Sequence, residues 1–460
     1  MKKINNDFTI KAISPIDGRY SSQINEEINN INSEYGLIKK RLFVEIEWLL
    51  FLASLPGIKN KFSINKVEKN FIKNIYSKFS TKDALKIKSI EEKINHDVKS
   101  IEYYLIEKFN SNKSLKNKKE LIHFCATSED INNISYALMF KENKILLIKE
   151  LNKLIKEINF LVKKHSNTPM LSRTHGQKAS PTTFGKEMKV FSSRLKKQMG
   201  NIDKRKIYAK MNGAVGNYNA HNFVLPNIKW DQETKKFLKK IGLYQNEYTT
   251  QIENHDWLAE SLNDIIIISG ILLDFSKDIW IYIMLDYIKQ KNISSEVGSS
   301  TMPHKVNPIN FENAEGNLEI LIGICQTVSK KIISSRLQRD LSDSTVLRNI
   351  GLIFAYYHIS VTSIQKGMRK IDLNLDKINY DIDSSWEILA EPIQTIMRYY
   401  KIPNSYDLIK KATRGKPIDQ NSLIKIIENS GLDNIAKEKL LKLKPRDYIG
   451  LAKKLALKKI

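Results

Sequence analysis

Only two cysteines, Cys125 and Cys325, occur in 460 residues. That number is too small for a disulfide framework or a cysteine-based metal site. Both lie among apolar residues and read as buried free thiols. No window offers the roughly 20 consecutive apolar residues that span a bilayer, and the nearest, Ile265 to Leu273, is too short. The first residues, MKKINNDFTIKAISP, contain no apolar signal core and no small-residue cleavage site. A cytoplasmic protein without membrane attachment is expected. Acidic residues are outnumbered, with 50 Asp and Glu against 75 Lys and Arg, for a net charge of +25. Such an excess can mark nucleic-acid binding. Here the lysines run along the whole chain, and neither a binding module nor an interleaved aromatic pattern accompanies them. The reading is a general compositional bias and no nucleic-acid partner.

Proline is absent from Gly57 to Thr168, from Asn227 to Met302 and from Ile309 to Glu391. Long helices fit these gaps, since an interior proline removes a backbone donor and clashes with the preceding turn. Within Ile134 to His165, Leu147, Leu151, Leu154, Ile158 and Leu161 recur at alternating fours and threes, the signature of one helical face. From Phe184 onward, Met188, Phe191, Leu195 and Met199 repeat it. Residues 256–288 are apolar on more than one stripe, as expected of a helix surrounded by others. Strand signals are sparse and no two-residue hairpin turn is evident. The expectation is an all-α protein. Soft boundaries after the Asn/Ser/Lys stretch near residue 116 and before the polar segment near residue 370 divide it into an N-terminal helical domain (1–116), a central long-helix bundle (117–370) and a C-terminal helical domain (371–460). The basic amphipathic run from Lys437 to Lys459 reads as a solvated helix face.

Three stretches carry chemistry. Residues 298–313, GSSTMPHKVNPINFEN, place Ser299, Ser300, Lys305, Asn307, Glu312 and Asn313 in one loop and helix start. A serine acts as a base only where its hydroxyl is stabilised when deprotonated, and Lys305 with the Gly298 turn could supply that. Taken alone, the serine pair could equally cap the following helix. Residues 172–181, SRTHGQKASP, set His175 beside a glycine in a connection between two helices, where a ring can face a cleft and exchange protons near neutral pH. Residues 123–133, HFCATSEDINN, put Thr127, Ser128 and Asp130 at the start of a long helix. They can cap it, and its free N–H groups can bind a carboxylate; the two roles are compatible.

These stretches, with KMNGAVGNYNAH from Lys210, occur in the order and at intervals similar to those of the fumarase/aspartase superfamily of elimination lyases. SPIDGRY at 14–20, INHDVK at 94–99, TTQIE at 249–253 and RDLSDSTVLRN at 339–349 resemble its bacterial adenylosuccinate lyase branch, and the similarity runs end to end. The resemblance implies the superfamily's three-domain helical fold and a homotetramer whose active sites each draw on three chains. It implies β-elimination of fumarate from adenylosuccinate, giving AMP, and from succinylated aminoimidazole carboxamide ribotide (SAICAR), giving AICAR, in purine nucleotide biosynthesis, with no metal or organic cofactor. Ser299 is then the general base and His175 the general acid, with Glu312 hydrogen-bonded to His175; on residue type alone Glu312 could be a helix-start carboxylate. Lys305 and Asn307 match donors for the developing carbanion's charge, and Thr127, Ser128 and Gln251 those for the succinyl carboxylates. Arg19, Tyr20, Arg339, Ser344 and Arg348 match the nucleotide end, where a phosphate calls for arginine forks; Ser344 and Arg348, four apart, could share a helical face. Asn95, His96 and Asp97 match site-lining positions, with His96 the main competitor for the acid role, and Ser300, Val306, Asn313 and Thr345 match further substrate contacts. One departure is Lys178, where many relatives have proline. An inward Lys178 would lower the His175 pKa, and an outward orientation is expected. Two alternatives stay open: another lyase of the superfamily, such as argininosuccinate lyase, and a non-enzymic nucleic-acid-binding protein that keeps the fold.

Overall fold

A computed structural model describes residues 7–291, 302, 304–413 and 418–459. It is dominated by helices, as expected. Among the described residues strands occur only as three two-stranded pairs, and no helix is long and apolar enough to cross a membrane. The three long periodic segments become the helices Ser128–Lys164, Phe184–Lys204 and Asp256–Met284. The first has 37 residues, or roughly 55 Å at about 1.5 Å per residue. Leu147, Leu151, Leu154 and Ile158 on its apolar face are buried, and so are Met188, Phe191 and Leu195 on the second helix.

The chain folds into two compact units whose boundaries fall within helices. The first comprises Met1–Glu150, Gln198–Gly270 and Gly316–Ser360. Several of its helices begin at side-chain caps: Asn65 and Glu68 form a reciprocal capping box for Lys66–Ser77, and His96 Nδ1 accepts the Lys99 amide at 3.2 Å at the start of Asp97–Asn110. Such caps satisfy amides that have no partner within the helix. Trp48 is fully buried against Phe237, ring centroids 5.1 Å apart and edge to face. Its indole N–H donates to the Phe124 carbonyl at 2.9 Å, so the buried polar atom is satisfied and the 123–127 loop is held at the same time. Phe140 packs edge to face on Trp257 and Phe354, joining three long helices within this unit.

The second unit comprises Leu151–Lys197, Ile271–Glu315 and Val361–Ile460. Phe191 meets Phe275 edge to face at 5.3 Å. A C-terminal cluster of Ile382, Leu389, Ile393, Met397, Leu423 and Ile427 is closed by Leu171. Leu171 comes from an element absent from the sequence reading, an antiparallel hairpin of Pro169–Thr174 with Gln177–Thr183. Gly185 follows it at a helix start, where a Cβ would lie 2.5 Å from the Val162 carbonyl oxygen and 2.7 Å from Ser166. Only glycine permits that approach.

Candidate active site

The first unit assembles one site around the N-terminus of the Ser128–Lys164 helix. Asp130 is fully buried and reaches back to the Thr127 amide at 2.9 Å, capping the helix as its sequence suggested. The same carboxylate receives the Gly213 amide at 3.1 Å, the Asn212 amide at 3.3 Å and the Lys210 ammonium at 2.6 Å, with both partners of that ion pair wholly buried. Lys210 Nζ also donates to the Gly213 carbonyl at 3.0 Å. TSED and KMNGAVG, distant in sequence, are thus one packed unit. Gln251 joins them, donating from Nε2 to the Ala214 carbonyl at 3.0 Å and accepting from Arg339 at 3.2 Å.

Beside this hub lies a cavity of about 330 Å³, within the usual range of about 300–1,000 Å³ for small-molecule clefts. Its walls include Ser128, Asn95, His96 and Asp97, and on the other side Arg339, Ser344 and Arg348. The expected sharing of one face by Ser344 and Arg348 holds, since both line the cavity from the short helix Ser342–Leu347 and its cap. Thr345 is exposed on the same helix. Asn95 closes the preceding helix in the left-handed conformation, φ 50°, which turns the chain sharply toward His96. Arg19 is exposed in a turn, and the neighbouring Tyr20 hydroxyl accepts a long 3.4 Å bond from Asn317.

Arg41 is a residue that spacing did not reveal. It is 1% exposed, donates to Asn132 at 2.8 Å and grips Asp97 at 2.6 Å. Arg348 reaches the same Asp97 oxygen at 3.3 Å. Burial pushes the Asp97 carboxyl up, but Arg41, the Val98 amide and Arg348 outweigh it and hold the group below its ordinary value. A carboxylate so fixed holds Arg348 at the cavity wall. Glu129, next to Ser128, is 2% exposed and ion-pairs with Arg339 at 3.1 Å. Burial drives its pKa up to about 7 against the pull of Arg339 and His255. At the edge of the hub, His123 has φ 58° and its Nδ1 lies 2.6 Å from Glu45. Burial pulls its pKa down, and Glu45 with Glu102 more than reverses this, so the net shift is upward.

The second unit carries the remaining residues. His175 and Gly176 are the two loop residues between the paired Thr174 and Gln177, with φ of 54° and 74°. Positive φ at both positions is what a tight I′ hairpin turn requires. The turn projects His175 into solvent, and it makes no hydrogen bond or ion pair among the described residues. Lys178 points outward as expected, 3.3 Å from Glu387. Ser299 and Ser300 lie outside the described residues. Lys305 and Val306 are exposed, and the Val306 carbonyl accepts from Gln290 at 2.8 Å. Asn307 is half-buried just before the helix Ile309–Ile332. Glu312 sits in the first turn of that helix and accepts from the Trp280 indole at 3.1 Å. Within the chain its hydrogen bond is therefore to Trp280, where His175 was expected. Asn313 accepts from the Ser363 hydroxyl at 2.8 Å.

Residues 18–323 match the profile of a lyase family, and residues 335–449 that of the adenylosuccinate lyase C-terminal domain. Adenylosuccinate lyase of Legionella pneumophila (strain Corby) is 46% identical over 447 residues, spanning 97% of this chain and 98% of that protein. The enzyme of that name from Escherichia coli (strain K12) is 44% identical over 445 residues, spanning 96% and 97%. Among solved structures, 3-carboxy-cis,cis-muconate lactonizing enzyme from Pseudomonas putida aligns with a TM-score of 0.75 at 17% identity, covering 95% of this chain and 96% of that one. Fumarate lyase from Mesorhizobium sp. BNC1 aligns at 0.74 and 17%, covering 94% and 97%. Fold and motifs together define a lyase of the fumarase/aspartase superfamily. Within that class, identity along nearly the whole chain and the matching C-terminal domain mean that the chain belongs to the adenylosuccinate lyase family.

Proposed function

We propose that the protein cleaves adenylosuccinate to AMP and fumarate, and SAICAR to AICAR and fumarate, in the cytoplasmic synthesis of purine nucleotides. The observation that carries this reading is the cavity in which Arg339, Ser344 and Arg348 face the helix N-terminus at Ser128. Two guanidiniums, a hydroxyl and exposed N–H groups suit a substrate with a phosphate and two carboxylates. Argininosuccinate, the substrate of the nearest alternative, carries no phosphate. The +25 charge does not favour the nucleic-acid reading, because these arginines line a concave site of small-molecule size.

In this reading Ser299 removes the proton from the succinyl carbon next to a carboxylate, and His175 protonates the departing nitrogen. Lys305 and Asn307 stabilise the charge that develops between these steps. Thr127, Ser128 and Gln251 hold the carboxylates. Arg19, Tyr20, Arg339, Ser344 and Arg348 hold the nucleotide, while Asn95, His96, Asp97, Ser300, Val306, Asn313 and Thr345 complete the contacts. Four copies assemble, and each site draws residues from three of them. That arrangement accounts for a general acid left exposed on a single chain, and Glu312 of one copy is the group that orients a His175. The three segments 1–116, 117–370 and 371–460 remain the domain division of this reading.

The test mixes purified protein with adenylosuccinate and follows the ultraviolet spectrum toward that of AMP, beside Ser299→Ala. Cleavage by the wild type alone supports both the substrate and the base. Cleavage by both proteins sinks the base assignment, and cleavage by neither turns the question to argininosuccinate.

A further inference from the structure

Behind the Arg339 wall of the cavity, a histidine lies buried among carboxylates that the elimination chemistry leaves unused. His255 is 2% exposed, and Glu129, Glu253 and Asp343 are buried with it. His255 Nδ1 lies 3.4 Å from Glu253 Oε2, an oxygen fixed by the Trp257 indole at 3.0 Å and the His255 amide at 2.7 Å. A ring nitrogen of His255 and one oxygen each of Glu129 and Asp343 lie within 4.8 Å of one another. Neither ring nitrogen has an aligned hydrogen bond among the described residues, so the ring acts on its neighbours through charge. Burial pulls the His255 pKa down, and Glu253, Glu129 and Asp343 more than reverse this, so the net shift favours the imidazolium.

Each of these acids adjoins a residue of the cavity or its hub. Glu129 follows Ser128, Asp343 precedes Ser344, and Glu253 stands two positions after Gln251. The link to the cavity itself is Arg339, which lines it while pairing with Glu129 at 3.1 Å and donating to Gln251 at 3.2 Å. With His255 charged, two cations face three carboxylates, and Asp130 and Lys210 beside them balance each other. With a neutral ring, one guanidinium would face all three. Glu129, which burial already raises to about 7 against the pull of Arg339 and His255, is the acid that would then take up a proton. Protonated, it no longer offers Arg339 a charged acceptor, and the guanidinium loses its fixed place.

We propose that His255 is a positioning residue for nucleotide binding: as the buried counter-ion shared by Glu129, Glu253 and Asp343, it holds Arg339 at the cavity wall through Glu129. The role rests on the reading that Arg339 meets the nucleotide. His255 itself touches no substrate.

Full-length His255→Gln, Arg339→Ala and the double variant are compared with wild type by calorimetric titration with AMP and by steady-state cleavage of adenylosuccinate. His255→Gln should weaken AMP binding and raise KM about 5- to 20-fold, keep kcat within about twofold, and add less than about twofold to the effect of Arg339→Ala. A general loosening of the fold would not obey that cycle, since its effect would persist without the guanidinium. Glu253→Gln, which takes away the carboxylate behind the ring, should weaken AMP binding about 2- to 5-fold through the same arginine, and it decides alone should His255→Gln fail to fold. AMP affinity unmoved by the deciding variant, or an effect undiminished in the Arg339→Ala background, overturns the proposal and leaves the proposed substrate standing. Arg339→Ala without effect on AMP, or wild type that neither binds AMP nor cleaves adenylosuccinate, overturns the reading of the cavity and the positioning role with it.

Discussion

Replacing Lys210 by methionine keeps most of the side-chain volume and removes one charge from the most enclosed ion pair in the first unit. Lys210 and Asp130 are both wholly buried, 2.6 Å apart. Losing one member of such a pair costs about 3–5 kcal/mol, because the other charge stays in a medium that cannot solvate it. Here Asp130 keeps three amide donors, from Thr127, Asn212 and Gly213. They soften the loss, so the expected cost is near the lower bound, about 3 kcal/mol. The Gly213 carbonyl also loses its lysine donor. The assay is urea unfolding at one fixed protein concentration, since the proposed self-assembly would shift apparent stability by mass action. Lys210→Met, Asp130→Asn and the double variant complete a cycle. The double variant should be more stable than the summed single losses predict, by about 1–3 kcal/mol. A Lys210→Met loss below about 1 kcal/mol, or strict additivity, would refute the claim that this pair holds the two motifs together. The same variant should raise KM more than it lowers kcat, because Thr127 and the Ala214 carbonyl that positions Gln251 hang from this hub.

Four further outcomes are expected. Arg339→Ala should lower kcat/KM by about 10- to 100-fold, the value of a lost charge-assisted contact, and the loss should vanish with a dephosphorylated substrate analogue; an equal loss on both would remove Arg339 from the phosphate. His175→Gln should cut kcat by about 10²- to 10⁴-fold with little change in KM, and unaltered turnover would shift the acid role to His96. His123, whose folded pKa is raised, stabilises the fold fully below its unfolded value of about 6.5 and loses that contribution as pH climbs through the folded value. The stability difference between wild type and His123→Gln should therefore be larger at about pH 6 than at about pH 9, and a difference independent of pH would contradict the Glu45 pairing. Gly185→Val should destabilise by about 1–3 kcal/mol through overpacking, and melting unchanged from wild type would show that the contact with Val162 and Ser166 can relax.

The contrast between the long helices and the His175 hairpin shows what periodicity carries. Leu147, Leu151, Leu154 and Ile158 repeat because one face of one helix is buried along its length, and that constraint is written locally in the spacing. Residues 169–183 are also ordered, but a register irregularity between Leu171 and Arg173 breaks the alternation that marks a strand. The turn is His175-Gly176, without the Asn-Gly or Asp-Gly signal of a two-residue hairpin. A strained backbone position occupied by a titratable residue is thus invisible to local rules, and in the proposed reading it is the position of the general acid. The site divides in the same way. TSED, INHDVK and RDLSDSTVLRN are legible as motifs because the cavity-lining residues each carries are neighbours in sequence. Arg41 and His255 are not, because each acts on a motif only through the fold: Arg41 grips Asp97 across 56 positions, and His255 meets Glu129 and Asp343 from a separate segment.

Glu312 makes that division consequential. The resemblance attaches it to His175, whereas the single chain attaches it to Trp280. Both hold if the His175 it orients belongs to another copy. Trp280 then fixes the Glu312 carboxylate in advance, at the cost of one indole hydrogen bond. Trp280→Phe removes that donor and keeps an aromatic, though smaller, ring at the position. It should lower kcat with KM nearly constant and shift the acid limb of the pH–rate profile, because the oriented imidazole, not the binding of substrate, is what Glu312 governs. A variant in which KM rises while the pH profile stays in place would show that the Trp280–Glu312 contact shapes the pocket alone. The chain would then give no support for Glu312 as the partner of the acid.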